Sequence, residues 1–134
     1  MNILVIDGQG GNLGKQICKM LLDRLTNVKI RAVGTNSLAT ESMIKTGIDE
    51  AATGENAVIV GARWADVIVG PIGIVIADAL LGEVTAKMAA AVGSADAKRI
   101  LIPMNKCDTI VAGIENLPTS ALIESAVQKI TSYT

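Results

Sequence analysis

Apolar positions in this chain alternate between two spacings. Short aliphatic runs, Ile3-Leu4-Val5-Ile6 and Val67-Ile68-Val69, are bounded by polar or glycine turns and read as buried strands. After the first run, Leu13, Ile17, Met20, Leu21 and Leu25 recur at helical spacing, opposite Lys15, Gln16, Lys19, Asp23 and Arg24. Extended over the chain, the pattern predicts strands at 2–7, 28–33, 51–53, 66–69 and 99–103, and a short sixth strand is an option at 109–112. It predicts helices near 12–25, 38–45, 74–81, 86–92 and 118–130. The segment 57–65 fits either period. The helix reading is preferred there, because a strand follows at once and parallel strands need a crossover. Asn12 and Thr85 stand where N-caps are expected, Asn36 or Ser37 caps the second helix, and Gly47 stands where it ends. Pro71 and Pro118 suit first helical positions.

Strands alternating with helices mean βαβ units. Right-handed crossovers then give an α/β fold, a three-layer doubly wound Rossmann-like parallel sheet of strand order 3-2-1-4-5. The 134 residues make one domain, 1–134, large enough to bury about two thirds of its extended-chain surface. Half of them are hydrophobic, yet Trp64 and Tyr133 are the only aromatics. An aliphatic core of this kind suits parallel strands covered by helices. The mean hydropathy of +0.46 and the nearly all-apolar stretch 72–81 predict a homo-oligomer.

Charge and composition remove several function classes. The net charge is −1 and no basic run occurs, which argues against a nucleic-acid partner. No histidine is present, so the commonest general base and transition-metal ligand are missing. Cys18 and Cys107 form neither a disulfide framework nor a metal spacing. Cys18 falls among apolar helix positions, whereas Cys107 lies on a polar turn beside Lys106 and is expected to react with thiol probes. Asp7, Glu55 and Asp78 offer carboxylates with no spacing that demands a metal. The most apolar region, 67–81, is broken by Gly70, Pro71, Gly73 and Asp78 and is not a membrane span. Met1 runs straight into a strand, so cytoplasmic residence is the default expectation.

Ligands of such sheets bind beyond the carboxyl ends of the strands. Glycine or polar clusters gather there: Gly8, Gln9, Gly10, Gly11, Asn12, Leu13 and Gly14 after the first strand, and Thr35, Asn36 and Ser37 after the second. Gly54, Glu55 and Asn56 follow the third, Gly70, Pro71 and Gly73 the fourth, and Asn105 and Lys106 the fifth. These eighteen residues are the candidate binding site. The first cluster joins a strand to a helix, where free N–H groups attract an anion. A small phosphate-bearing ligand is therefore the expected partner.

The spacing of Gly8, Gly11 and Gly14 resembles the turn of extended short-chain dehydrogenases, which bind NAD or NADP. Three checkpoints of that comparison are unmet. In the G-x-G-x-x-G pattern the third glycine falls on Leu13. No Asp or Glu closes the second strand, where Gly34-Thr35-Asn36 stands. A Tyr-x-x-x-Lys pair is absent, as Tyr133 is the only tyrosine. Gly14-Lys15 resembles a P-loop, but Gln9 and Gln16 replace its first glycine and its Ser or Thr. Asn105-Lys106-Cys107-Asp108 is similar to the guanine-reading N-K-x-D motif of GTPases, without a working P-loop to accompany it.

Over nearly its whole length the chain resembles an uncharacterised family of short bacterial Rossmann-like proteins, a domain-of-unknown-function family. Five segments carry the resemblance: Asn2-Ile-Leu-Val-Ile-Asp-Gly-Gln-Gly-Gly11, Ala32-Val-Gly-Thr-Asn-Ser37, Ala52-Thr-Gly-Glu-Asn-Ala-Val58, Gly70-Pro-Ile-Gly-Ile-Val-Ile-Ala-Asp78 and Ile102-Pro-Met-Asn-Lys-Cys107. The resemblance implies this fold in a bacterial cytoplasmic protein and adds no chemistry. Three functions remain open. One is binding of a nucleotide or phosphate-bearing metabolite. The second is an enzyme, an NAD(P)-linked oxidoreductase or a phospho-metabolite transferase. The third is a non-catalytic structural or regulatory subunit.

Overall fold

Every second residue of the first strand points to the same face, and both faces are apolar. That demands helices above and below. The computed structural model describes residues 1–104 and 108–134, and in it five parallel strands are covered on both sides. The elements are β1 (Asn2–Asp7), α1 (Asn12–Arg24), β2 (Lys29–Gly34), α2 (Ser37–Ile44), β3 (Glu50–Thr53), α3 (Glu55–Trp64), β4 (Val67–Pro71), α4 (Ala86–Gly93), β5 (Lys98–Ile102) and α5 (Thr119–Thr131). The sheet order is β3-β2-β1-β4-β5, as the crossover rule predicts. Ile3 and Val5 pack with Ile17, Leu21, Ile123 and Ile130, on the face covered by α1 and α5. Leu4 and Ile6 pack with Val58, Ala62, Met88 and Val92, on the face covered by α3 and α4. β1 lies between β2 and β4 with its residues fully buried from Ile3 to Ile6, so the central strand is the most apolar one. α3 settles the ambiguity at 57–65 in favour of a helix.

The largest departure from the periodicity lies after β4. No helix covers 74–81. A single 3₁₀ turn, Ile72–Val75, leads into a run of tight turns ending at Thr85. Here Asp78, Leu80, Leu81 and Gly82 all take positive φ, from 56° to 90°. The left-handed region is costly for branched residues, and it persists only where surrounding contacts over-determine it. They do so here. The Asp78 N–H bonds the Val84 carbonyl at 2.7 Å and the Val84 N–H bonds the Ala79 carbonyl at 3.1 Å, while Ile74, Ala79 and Val84 are buried. A regular helix would bury one stripe of this apolar run; the folded-back loop buries scattered members of it. The argument for self-association from an all-apolar helix therefore lapses.

Smaller corrections concern termini. Asn12 does not cap α1: Gly11, at φ +73°, holds the cap position and no side chain of the cap bonds the helix. Pro71 ends β4 rather than starting a helix, and Pro118 precedes α5 as its cap. Residues 109–112 form no strand. Thr85 does cap α4, its hydroxyl accepting from the Met88 N–H at 3.1 Å, and Asn36 caps α2 in the same way through Ala39.

Candidate functional site

β1 ends at Asp7, a carboxylate only 6% exposed. Its Oδ1 accepts the Gly8 N–H at 2.8 Å and its Oδ2 accepts the Gly14 N–H at 2.6 Å. The strand thus supplies the cap that Asn12 does not, and a negative charge meets the positive end of α1. The turn closes through the Gly11 N–H to the Gly8 carbonyl at 2.9 Å, with Gln9 at φ +50°.

The glycines of this turn divide by role. A Cβ on Gly11 would come within 2.7 Å of the Ala39 backbone, so α2 approaches α1 only because Gly11 has no side chain. Gly14 is crowded by Asp7 and the Met43 sulfur, and Gly8 by Thr35 and Leu80. Three of the four glycines therefore serve close packing. A Cβ on Gly10 would meet nothing within 4 Å. Gly10 is the position where the backbone itself faces open space.

That space is a cleft of about 470 Å³ at the carboxyl edge of the sheet, next to the boundary between β1 and β4. Ligands of open α/β sheets bind in this crevice, where the strand order reverses. Its floor is the turn from Gly8 to Leu13; Pro71, Gly73 and Met104 wall it on the β4 and β5 side, and Leu80 of the loop after β4 also lines it. Thr119, the first residue of α5, also lines it. Two helices therefore begin at one cleft. Neither α1 nor α5 has a side-chain cap from its own cap residue. The first N–H groups of a helix have no intrahelical partner. Asp7 takes that of Gly14, which leaves those of Asn12 and Leu13 in α1, and those of Thr119 and Ser120 in α5, with no acceptor among the described residues.

On the β2 side the Thr35 hydroxyl, the Asn36 amide and the Gln9 backbone are engaged. Glu83, from the loop after β4, places Oε1 2.8 Å from the Gln9 N–H, 2.8 Å from the Thr35 hydroxyl and 2.6 Å from the Asn36 amide nitrogen. Asn36 also donates to the Gln9 carbonyl at 2.9 Å. Partial burial pushes the Glu83 carboxyl up, but the donors from Gln9, Thr35 and Asn36 outweigh it and hold the group below its ordinary value. Ser42 adds a bond to the Gly10 carbonyl at 2.8 Å.

The chain matches over residues 2–134 a family described as Domain of unknown function (DUF3842). It belongs to that family. No curated protein matches it. One similar solved structure is a dodecameric FMN-dependent Ubix-like decarboxylase from Escherichia coli O157:H7, 18% identical, with a TM-score of 0.49, covering 98% of this chain and 76% of that one.

Within this family member the eighteen candidate residues fall into five groups. Gly8 to Leu13, Pro71 and Gly73 line the cleft. Gly14 and Gly70 lie beneath it, where a Cβ would strike Asp7 and the Ile6 backbone respectively. Thr35 and Asn36 join the Glu83 network, and Ser37 is exposed at the start of α2. Gly54, Glu55 and Asn56 stand apart, with the Glu55 carboxylate accepting from the Thr85 hydroxyl at 2.7 Å. Asn105 and Lys106, with Cys107 and the N-K-x-D reading, lie outside the described residues. Among the described residues, no three carboxylates or cysteines gather as a metal site, and no helix is long and apolar enough to cross a membrane. Cys18 is buried, and burial first, then the Asp7 charge, pushes its thiol up to about 12. Lys15 is exposed and does not line the cleft.

Sequence reasoning overlooked Glu83, Leu80 and Thr119. Leu80 and Glu83 were hidden inside and beside a supposed helix. The pair Gly82-Glu83, a glycine followed by a carboxylate in the loop after β4, is the one local signal that could have marked them.

Proposed function

We propose that this protein binds a small phosphate-bearing ligand, a nucleotide or phosphorylated metabolite, in the cleft at the carboxyl edge of β1 and β4. The observation that carries this reading is the convergence of α1 and α5 on one cleft. Their unpaired N–H groups and like-signed dipole ends favour an anion placed between them. The volume of about 470 Å³ lies in the range of small-ligand pockets. Gly10 leaves the backbone bare on one wall. Asp7 lines the same cleft, and its charge is partly spent on the Gly8 and Gly14 N–H groups.

This reading concerns binding; a sensing or regulatory role follows from it as readily as catalysis. The end of β2, where a carboxylate would hold the ribose of NAD, presents Thr35 and Asn36, both already bonded to Glu83. Self-association belongs to the same proposal on a different ground than a helix. Leu81 is 96% exposed and Ile110 is 89% exposed, which leaves large apolar side chains uncovered. Sedimentation as a monomer at micromolar concentration refutes it.

The binding test is a thermal-shift series with inorganic phosphate, ribose 5-phosphate, nucleotides and NAD(P). A ligand at a hundredfold excess over its Kd adds about 2.7 kcal/mol of stability. No shift with any phosphorylated compound ends the proposal.

A further inference from the structure

The turns at 76–84 close the β2 half of the crevice. A dinucleotide lies across both halves of a doubly wound sheet, with its adenosine ribose held at the end of the second strand. In this protein that end is already taken. Glu83 Oε1 collects the Gln9 N–H, the Thr35 hydroxyl and the Asn36 amide at 2.6 to 2.8 Å. Donors at the end of β2 and the adjoining β1 turn that could otherwise face a ligand are thus spent on Glu83. Leu80, from the same loop, lies where a Cβ on Gly8 would come within 2.7 Å of its Cδ1. The loop cannot drift away cheaply, because its left-handed turns are tied by bonds from Asp78 to Val84, Gly82 to Asp78 and Val84 to Ala79. Ile74, Ala79 and Val84 anchor it in the core.

We propose that Glu83 latches this loop over the β2 end and thereby restricts the cleft to compact phosphorylated ligands, a sugar phosphate or single phosphate ester, with dinucleotides excluded. The inference rests on the phosphate reading of the cleft and adds the size class of its occupant. Glu83 acts here as a specificity-determining residue, through the loop it holds rather than through contact with the ligand. The ligand then spans from the α1 N-terminus toward Thr119 and Met104, which line the same cleft.

The experiment uses the whole chain and three probes: inorganic phosphate, ribose 5-phosphate and NAD. Calorimetric titration of the unaltered protein is expected to give ribose 5-phosphate at least a tenfold tighter Kd than NAD. Glu83→Ala is expected to narrow that ratio by tenfold or more, and Glu83→Gln, which keeps a carbonyl acceptor, to restore most of it. Amide NMR of the unaltered protein supplies a readout that needs no variant to fold. Ribose 5-phosphate should shift Asn12, Leu13 and Thr119 while Gln9, Thr35 and Asn36 stay in place. Binding of phosphate or ribose 5-phosphate together with NAD binding as tight or tighter, or with Thr35 and Asn36 as the most shifted amides, overturns the latch and leaves the phosphate reading standing. Failure of phosphate and ribose 5-phosphate to bind overturns both.

Discussion

The two flanks of the β1 turn make opposite use of the same polar chemistry. On the β2 flank, Thr35, Asn36, Gln9 and Glu83 bond one another, so a cluster that looks like a binding site is internally satisfied. On the β4 and β5 flank, the walls are plainer, yet the N–H groups of Asn12 and Leu13 in α1 and of Thr119 and Ser120 in α5 have no acceptor among the described residues. A polar residue at a strand end is thus no guide to binding unless its bonding capacity is unspent.

The sharpest way to break this comparison is at the glycines, which differ most between packing and open roles. Gly11→Val drives a branched side chain into the α2 backbone at a left-handed position and should destabilise the fold by about 3 kcal/mol or more in urea unfolding. A loss under about 1 kcal/mol would mean that α2 does not sit against this turn.

Glu83 comes next. Removing its carboxylate in Glu83→Ala leaves three donors without their acceptor and should cost about 1–2 kcal/mol, moderated by the water that reaches this half-buried site. The acid limb gives a second view. The folded carboxyl titrates below its ordinary value of 4.5. Its contribution is therefore complete above that value and lost as pH falls through the lower folded one. Glu83→Gln should remove that contribution at neutral pH, flatten the profile below about pH 4.5 and converge with the unaltered protein in acid. An unaltered acid limb would show that the three bonds do not persist in solution.

Gly10→Val should move stability by less than about 0.5 kcal/mol, since its new side chain enters open space. The same change should weaken phosphate binding tenfold or more. Unchanged binding would place the ligand away from this turn. The smallest effect is expected at Cys18, whose thiol is fully buried and titrates near 12. It should resist thiol labelling in native protein and equally in Glu83→Ala. Labelling in the variant would show that the latch holds α1 as well as its own loop.

Much of this was legible in the residues. Strand runs such as Ile3 to Ile6, and the helical stripe of Leu13, Ile17 and Leu21, name their own faces, because side-chain direction repeats with a fixed local period. Alternation of the two periods then leaves few topologies. The stretch 74–81 failed for a related reason. Apolar nearly throughout, it has no polar side to set a period, so the pattern could not distinguish a helix from a buried loop. The same limit hid the site. Glu83 acts on Gln9 from 74 residues away, and no local spacing encodes that pairing.

The sequence alone determined the parallel sheet, its strand order, the glycine and polar clusters at its carboxyl edge and the caps at Asn36 and Thr85, all of which follow from periodicity, crossover handedness and short-range hydrogen bonding. Only the tertiary structure decided which glycines are crowded and which is bare, that Asp7 rather than Asn12 serves the N-terminus of α1, that α5 begins beside α1, and that Glu83 bonds Gln9, Thr35 and Asn36. These depend on distances between segments far apart in the chain, and they are set when the two apolar faces of the sheet are covered.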